Sequence, residues 1–341
     1  MMKIIDGSQG EGGGQIFRTS LTLALCLGEP VTITNIRAGR KKPGLLRQHL
    51  ACLNAAQAIS DADVQGAALG SSEVVFKPGR VRSGNYHFAV GSAGSTTLVF
   101  QTVYLPLCFA GANSEVVFEG GTHNGMAPSF DFIQKSFLPE LHKMGLDIDL
   151  NLDRYGFYPA GGGAWRAYIQ PSAAIGAYHN IQRGELRAIT AVATSACIPA
   201  HVVERELNRV ATVLSLGPEQ LRKQLVASVG PGNILSLYAE STASCELVER
   251  VGERGISAEA IADKAVAALM RYLTVDAAVG DHLADQLLLP MALGAGGCFT
   301  TLKPSLHTQT NAAVIQALTG VKIAIEPLNL GRWQIRVYKG G

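Results

Sequence analysis

A strand, a glycine-rich loop and an apolar helix recur in that order near residues 4–27, 86–109 and 277–300. This repetition constrains the fold more than any other feature. Each copy leaves an apolar helix face that a neighbouring copy must cover. The first runs from Ile4-Ile5 through Ser8-Gln9-Gly10-Glu11-Gly12-Gly13-Gly14-Gln15 into a helix from about Ile16 to Leu27. The second passes from Tyr86–Val90 through Gly91–Thr97 into a helix from Leu98 to Phe109. The third places Gly280-Asp281-His282-Leu283-Ala284-Asp285-Gln286 ahead of Leu287–Met291. The copies share pattern, not identity. They predict an α/β (α+β) chain of repeated sheet-and-helix units around one shared site.

The character changes between the second and third copies. Residues 183–276 read as a strand (186–194), a helix (about 200–215), a strand (233–239) and an amphipathic helix (257–273), with few glycine loops. This segment is expected to be an inserted domain between the halves 1–182 and 277–341 of the main one, and 341 residues suffice for both. With 47% hydrophobic and 16% charged residues, the chain is an ordered globular protein. A net charge of +2 argues against a nonspecific nucleic-acid coat. The six cysteines contain no CxxC pair, which argues against a zinc site or disulfide scaffold and for a reduced, cytoplasmic setting. No apolar signal core opens the chain, and its apolar runs stop short of a membrane span, so no membrane partner is expected.

Three stretches carry chemistry. In Lys303-Pro304-Ser305-Leu306-His307-Thr308-Gln309-Thr310-Asn311, Pro304 should end a strand. Thr310 and Asn311 suit the N-cap or first turn of a helix over Ala312–Leu318, which Gly320 closes. His307 is thus expected on a short strand-to-helix connection, where scaffolds present reactive side chains. Alone, such a histidine is most simply a hydrogen-bonded turn residue. The glycine loop at 10–14 can cradle an anion on backbone N–H groups, although it is neither a Walker A loop nor a clean GxGxxG. Glu11 would repel that anion unless a divalent metal with magnesium-like oxygen ligands lay between them; alone it reads as a solvated turn residue. Finally, Arg37, Arg40, Lys41, Lys42 and Arg47 fall within eleven residues around a Gly-Pro turn, with Gln48 beside them. Arginine forks at a helix start suit a polyphosphate or an RNA backbone. Arg18, on the helix after the glycine loop, joins them as a phosphate or RNA contact.

Taken together and in order, the motifs resemble the RNA 3′-terminal phosphate cyclases nearly end to end. They are Asp6-Gly7 with Gly10–Gln15, Arg37–Arg40 with Lys42–Gln48, Gly91–Ser95, Gly156-Phe157-Tyr158-Pro159 with its triple glycine, Asp285-Gln286, and His307–Thr310. The resemblance implies repeats like the C-terminal domain of bacterial translation initiation factor 3, with a smaller inserted α/β domain. It implies ATP and a divalent metal (magnesium or manganese) as cofactors and RNA with a 3′-phosphate end as partner. The RNA end would become a 2′,3′-cyclic phosphate. The residue matching His307 takes AMP through a nitrogen–phosphorus bond, and that matching Glu11 serves the metal. Gln101 and His282, Leu283, Ala284, Asp285 and Gln286 match nucleotide-binding positions, and Pro128, Asp131 and Phe132 match a segment bordering the nucleotide. The chain departs from the family pattern at His282, where relatives carry a tyrosine that packs on adenine. Histidine offers less stacking area, so nucleotide affinity and base preference stay open there. The segment around His123 is given no role, and the oligomeric state is not legible. One alternative is a noncatalytic ribosome-assembly relative on the same fold, which would have no need for His307 and Glu11. A more distant one is a small-molecule transferase of the enolpyruvyl type, built from similar repeats.

If the basic turn contacts phosphates, an Arg40→Ala/Lys42→Ala double variant should use ATP or RNA less well. Its log–log salt slope should fall by about 1–2. Wild-type activity with a wild-type slope would make the turn ordinary surface.

Overall fold

The architecture of this computed structural model, which describes residues 2–339, repeats one sheet topology three times. In the first unit β1 (Lys3–Asp6), α1 (Gly14–Leu27), β2 (Val31–Thr34), α2 (Arg47–Ser60), β3 (Asp63–Gln65) and β4 (Val74–Lys77) follow one another. The sheet order is β1-β2-β4-β3, with β1 parallel to β2 and the other two pairs antiparallel. Parallel neighbours need a crossover, which α1 supplies. Gly28 ends α1 in the left-handed conformation (φ 66°), and Pro30 cannot continue the helix.

The second unit repeats this plan. It contains β5 (Asn85–Ala89), α3 (Thr96–Cys108), β6 (Ser114–Gly120), α4 (Phe130–Phe132), a π-helical turn (Ile133–Phe137), α5 (Leu138–Lys143), β7 (Ile148–Arg154) and β8 (Gly163–Ile169). The order β5-β6-β8-β7 carries the same sequence of parallel and antiparallel pairs.

The third unit opens with β9 (Tyr178–Asn180) and is then interrupted. The interruption holds β10 (Leu186–Ala196), α6 (His201–Leu214), β11 (Leu221–Leu225), β12 (Gly232–Ser241), β13 (Cys245–Val251) and α7 (Ala258–Val275). Its sheet has the order β11-β10-β12-β13. The unit resumes with α8 (Asp281–Leu293), β14 (Gly297–Thr301), α9 (Leu306–Thr319), β15 (Ile323–Pro327) and β16 (Trp333–Val337), in the order β15-β16-β14-β9. The sequence reading placed the third copy's strand near 277. Only an isolated bridge, Val279 to Thr301, lies there. The parallel partner of β14 is β9, on the far side of the interruption. A three-residue strand holding His179 and Asn180 has no periodicity to reveal it.

The helices of the three units pack together: α1 lies against α2, α3 and α9, and α8 against α9. One large apolar cluster runs through all three units. A separate cluster within the interruption joins its sheet to α6 and α7 through residues such as Val203, Leu237, Ala262 and Leu269. No described helix is long and apolar enough to cross a membrane.

Trp165 of β8 organises the second unit. It is fully buried, stacks on Phe118 at 4.3 Å between centroids, and meets Phe100 and Phe130 edge-on at 5.4 Å. Its Nε1–H donates to Thr96 Oγ1 (2.7 Å) at the first residue of α3, so indole and helix start are fixed together. Trp165→Ala should therefore cost about 3–5 kcal/mol of stability, read from the midpoint of chemical unfolding. A loss under about 1 kcal/mol would contradict this packing.

Candidate active site

Helix α9 starts earlier than the sequence pattern predicts. Ser305 is the N-cap, its Oγ accepting from the Thr308 N–H (3.1 Å), and Leu306 is the first helical residue. A serine following a proline is a ready cap, so Thr310 and Asn311 are left inside the helix. His307 thus stands on the first turn of α9, not on a connection before it. His307 and Asn311, four residues apart, share one helix face.

Both meet Asp285 of α8, which is 4% exposed. His307 Nδ1 lies 3.1 Å from Asp285 Oδ2. Asn311 Nδ2 and Gln15 Nε2 donate to Asp285 Oδ1 at 3.0 and 2.6 Å. Thr19 Oγ1 donates to Asn311 Oδ1 (2.8 Å). A single carboxylate therefore ties α1, α8 and α9 together. Burial lowers the His307 pKa, but the hydrogen bond and charge of Asp285, followed by Glu11, outweigh it and leave the imidazole above its ordinary value.

With Nδ1 on Asp285, His307 Nε2 is the free ring nitrogen, and it lies 3.8 Å from Glu11 Oε2. The Glu11 N–H donates to Thr310 Oγ1 (3.0 Å), docking the glycine loop on α9. Gly10 has φ +54°, and a Cβ there would run into the Thr310 hydroxyl, so the loop needs glycine at this point. Arg40 pairs with Glu11 Oε1 and donates to its carbonyl (3.1 Å). Arg18 is half-buried beside them and makes no salt bridge among the described residues. Burial lowers its pKa, while the carboxylates of Asp285 and Glu11 oppose that. A desolvated guanidinium without a direct ion pair favours an incoming anion. His49 packs close to Gly14, and burial, then Arg18 and Arg37, hold its pKa down to about 3, so it stays neutral.

These groups open on a cleft of about 650 Å³. Glu11, Gln15, Arg18 and His307 line it together with Pro128, Phe132, Glu249, Arg250 and His282. Gln101 and Gln286 line it and hydrogen-bond to each other. Other predicted residues lie elsewhere. Leu283 and Ala284 are buried in the core. The Asp131 carboxylate faces buried His123 (3.6 Å to Nε2). Arg37 Nη1 donates to the carbonyls of Lys42 (2.5 Å) and Gly44 (3.0 Å), bracing its own turn. Gln48 donates to the Ser95 carbonyl (2.8 Å), and Lys42 and Arg47 are exposed. Sequence reasoning passed over the roles of Gln15, Thr19 and Asn311. For Asn311 the four-residue spacing from His307 was the available signal. Glu249 and Arg250 come from the interrupting segment and carry no local signal.

A family model described as RNA 3′-terminal phosphate cyclase matches residues 9–325. A relative of that name from Koribacter versatilis is 47% identical over 325 residues, covering 95% of this chain and 92% of the relative. One from Salmonella agona is 48% identical over 325 residues, covering 94% and 93%. Among solved structures, the enolpyruvyl transferase NikO from Streptomyces tendae aligns over 48% of this chain and 32% of that one, at 16% identity and a TM-score of 0.29. That likeness is too low to carry an argument.

The Asp285 contact makes the His307 titration a direct probe of the site. In Asp285→Asn the charge of the carboxylate and its hydrogen bond to the imidazole are lost, while burial and Arg18 still lower the His307 pKa and only Glu11 still raises it. NMR of the ring should show His307 titrating at lower pH than in the wild type. An unmoved titration would mean that the pair does not hold in solution.

Proposed function

The chain belongs to the RNA 3′-terminal phosphate cyclase family, and from that premise we propose that it converts an RNA 3′-phosphate end to a 2′,3′-cyclic phosphate through a His307–AMP intermediate. The observation that carries this reading is the Asp285–His307 pair, with Nε2 left free beside Glu11 and Arg18. Asp285 holds the proton on Nδ1, so the lone pair resides on Nε2. That lone pair attacks the α-phosphorus of ATP; the nitrogen–phosphorus bond forms as the bond to pyrophosphate breaks. An oxygen of the RNA 3′-phosphate then displaces His307 from the AMP phosphorus. The neighbouring 2′-hydroxyl attacks the 3′-phosphorus, loses its proton and expels AMP. Asp285 stabilises the imidazolium character that develops at each nitrogen–phosphorus step, and Arg18 and Arg40 face phosphoryl oxygens.

The donor set fits a magnesium- or manganese-like cation. Such ions take one or two carboxylates plus phosphate oxygens, and Glu11, which lines the cleft with Arg18 and His307, would be the carboxylate that holds one. When bound, the cation would neutralise phosphate charge. Pro128, Phe132, His282, Gln101 and Gln286 would hold the nucleoside, with Leu283 and Ala284 supporting α8 from the core and Asp131 acting through its contact with His123. Lys42, Arg47 and Gln48 border the approach of the RNA backbone, and Arg37 shapes their turn. The three repeated units would be of the kind found in translation initiation factor 3, and residues 183–276, with an apolar cluster of their own, an inserted domain. ATP and RNA as substrates fit a cytoplasmic location. A noncatalytic relative would have no use for a histidine so oriented.

His307→Asn should fold like the wild type but form no AMP adduct. The wild-type adduct should be labile in acid and stable in base. Because His307 attacks when neutral and its pKa is raised, adenylylation should fall as pH drops through a midpoint above about 6.5. Labelling with AMP at the wild-type level in the variant, or an adduct mapped to another residue, would remove His307 from this role.

A further inference from the structure

The interrupting segment lends no nucleophile to the site, yet it holds the start of α8 from several sides. The N-cap of α8 is Gly280, which has no side chain of its own. In a capping box the third helical residue reaches back to the N-cap N–H, but here that residue is Leu283, which cannot accept a proton. The acceptor comes instead from Glu246 of β13, whose Oε2 takes the Gly280 N–H (3.0 Å). Arg271 of α7 pairs with the carboxylate of Asp281, the first residue of α8. Ser244 Oγ (3.0 Å) and Tyr272 Oη (3.3 Å) donate to the Ala278 carbonyl. Residues 278–281 are thus fixed by Ser244, Glu246, Arg271 and Tyr272 of the interrupting segment.

The approach is close. A Cβ at Gly280 would run into the Glu246 carboxyl, which is itself buried. Asp285 lies about one turn further along the same helix, so a shift of the helix start is carried to it. Its contact with His307 is 3.1 Å, and a displacement of about half an ångström takes such a pair beyond hydrogen-bond range. We infer that Glu246 is a positioning residue for the reaction: by capping α8 from the interrupting segment it sets the Asp285–His307 contact. The inference deepens the nucleophile reading above, and the contact itself is measured without assuming that reading. Burial pushes the Glu246 carboxyl up to about 8 against the pull of the Gly280 N–H, and Asp281 and Glu140 add to the rise. Near neutral pH the group is therefore uncharged and offers the N–H a carbonyl oxygen, as a glutamine amide does.

Glu246→Ala, Glu246→Gln and Gly280→Ala make the test. The first readout is the His307 ring titration, followed by NMR in the unliganded protein. In Glu246→Ala it should move to lower pH, toward that of Asp285→Asn, whereas Glu246→Gln should titrate like the wild type. The second readout is the rate of AMP adduct formation at saturating ATP. It should fall about 10-fold or more in Glu246→Ala and about 2-fold or less in Glu246→Gln. Gly280→Ala forces the same two groups apart from the other side and should behave like Glu246→Ala. The two alanine changes combined should cost no more than either alone, because they act through one contact. Gly280→Ala also carries the test if a thermal melt shows that Glu246→Ala does not fold. A purely structural role would lower the melt and leave the His307 titration in place. An unmoved titration in the folded alanine variants, or a Glu246→Gln displaced as far as Glu246→Ala, overturns the inference and leaves the nucleophile reading standing. If the wild type forms no AMP adduct, the nucleophile reading falls and the titration alone decides the role of Glu246.

Discussion

The Asp285 carboxylate is the contact on which the rest of the site depends. It is buried, and an ionised carboxylate in that position is costly unless its oxygens are hydrogen-bonded. It stands on α8, and its partners come from two other helices, Gln15 from α1 of the first unit and Asn311 and His307 from α9 of the third. Correct docking of those helices and correct orientation of the imidazole are therefore one event. Arg18 is the counterpart. Asp285 is satisfied by the fold, whereas Arg18 stands half-buried beside the same network without a salt bridge among the described residues. One charged group is fully engaged by its neighbours, and the other is left without a direct counter-charge.

The threefold repetition explains why one site draws on such distant segments. Each unit brings a loop and a helix start toward the helical layer, from Gly10–Gly14 before α1, from Gly91–Ser95 before α3 and from Gly280 before α8. The interruption of the third unit adds a wall that no single unit could supply. Its β13 carries Glu246, whose Oε2 accepts from the Gly280 N–H (3.0 Å) just before α8, and burial pushes that carboxyl up to about 8. A side chain at position 280 would collide with Glu246, so the helix bearing His282 and Asp285 is seated directly on the interrupting sheet. Glu249, three residues along the same strand region, faces the cleft from that seat.

Much of the fold was legible because its signals are local. The glycine loop feeding α1, the apolar α3, the helices α6 and α7 and the strands β10 and β12 follow from periodicity and punctuation within about fifteen residues. The exceptions have several causes, and β7, β13, β15 and β16 also went unread as strands. Strand β9 is three residues long, and β11 reads Leu-Arg-Lys-Gln-Leu and is largely exposed, so neither carries an apolar rhythm. The start of α9 was misplaced because Ser305, Thr310 and Asn311 are all competent caps by chemistry, and the hydrogen bond that chose Ser305 is not written in the order of residues. Arg37 looked like its basic neighbours yet spends its guanidinium on two carbonyls of its own turn.

By itself the sequence determined which chemical groups the chain possesses and which local elements carry them: a histidine after a strand-ending proline, a carboxylate in a glycine loop, a basic turn and a recurring strand–loop–helix pattern. The tertiary structure decided which of these groups meet. Only there does His307 acquire Asp285 at 3.1 Å and Glu11 at 3.8 Å, and only there does Glu249 of the interrupting segment come to lie beside Pro128. The physical reason is one of range. Helix and strand preferences act over a few neighbouring residues. Hydrogen bonds and desolvation act over a few ångströms of space, between groups hundreds of residues apart in the chain.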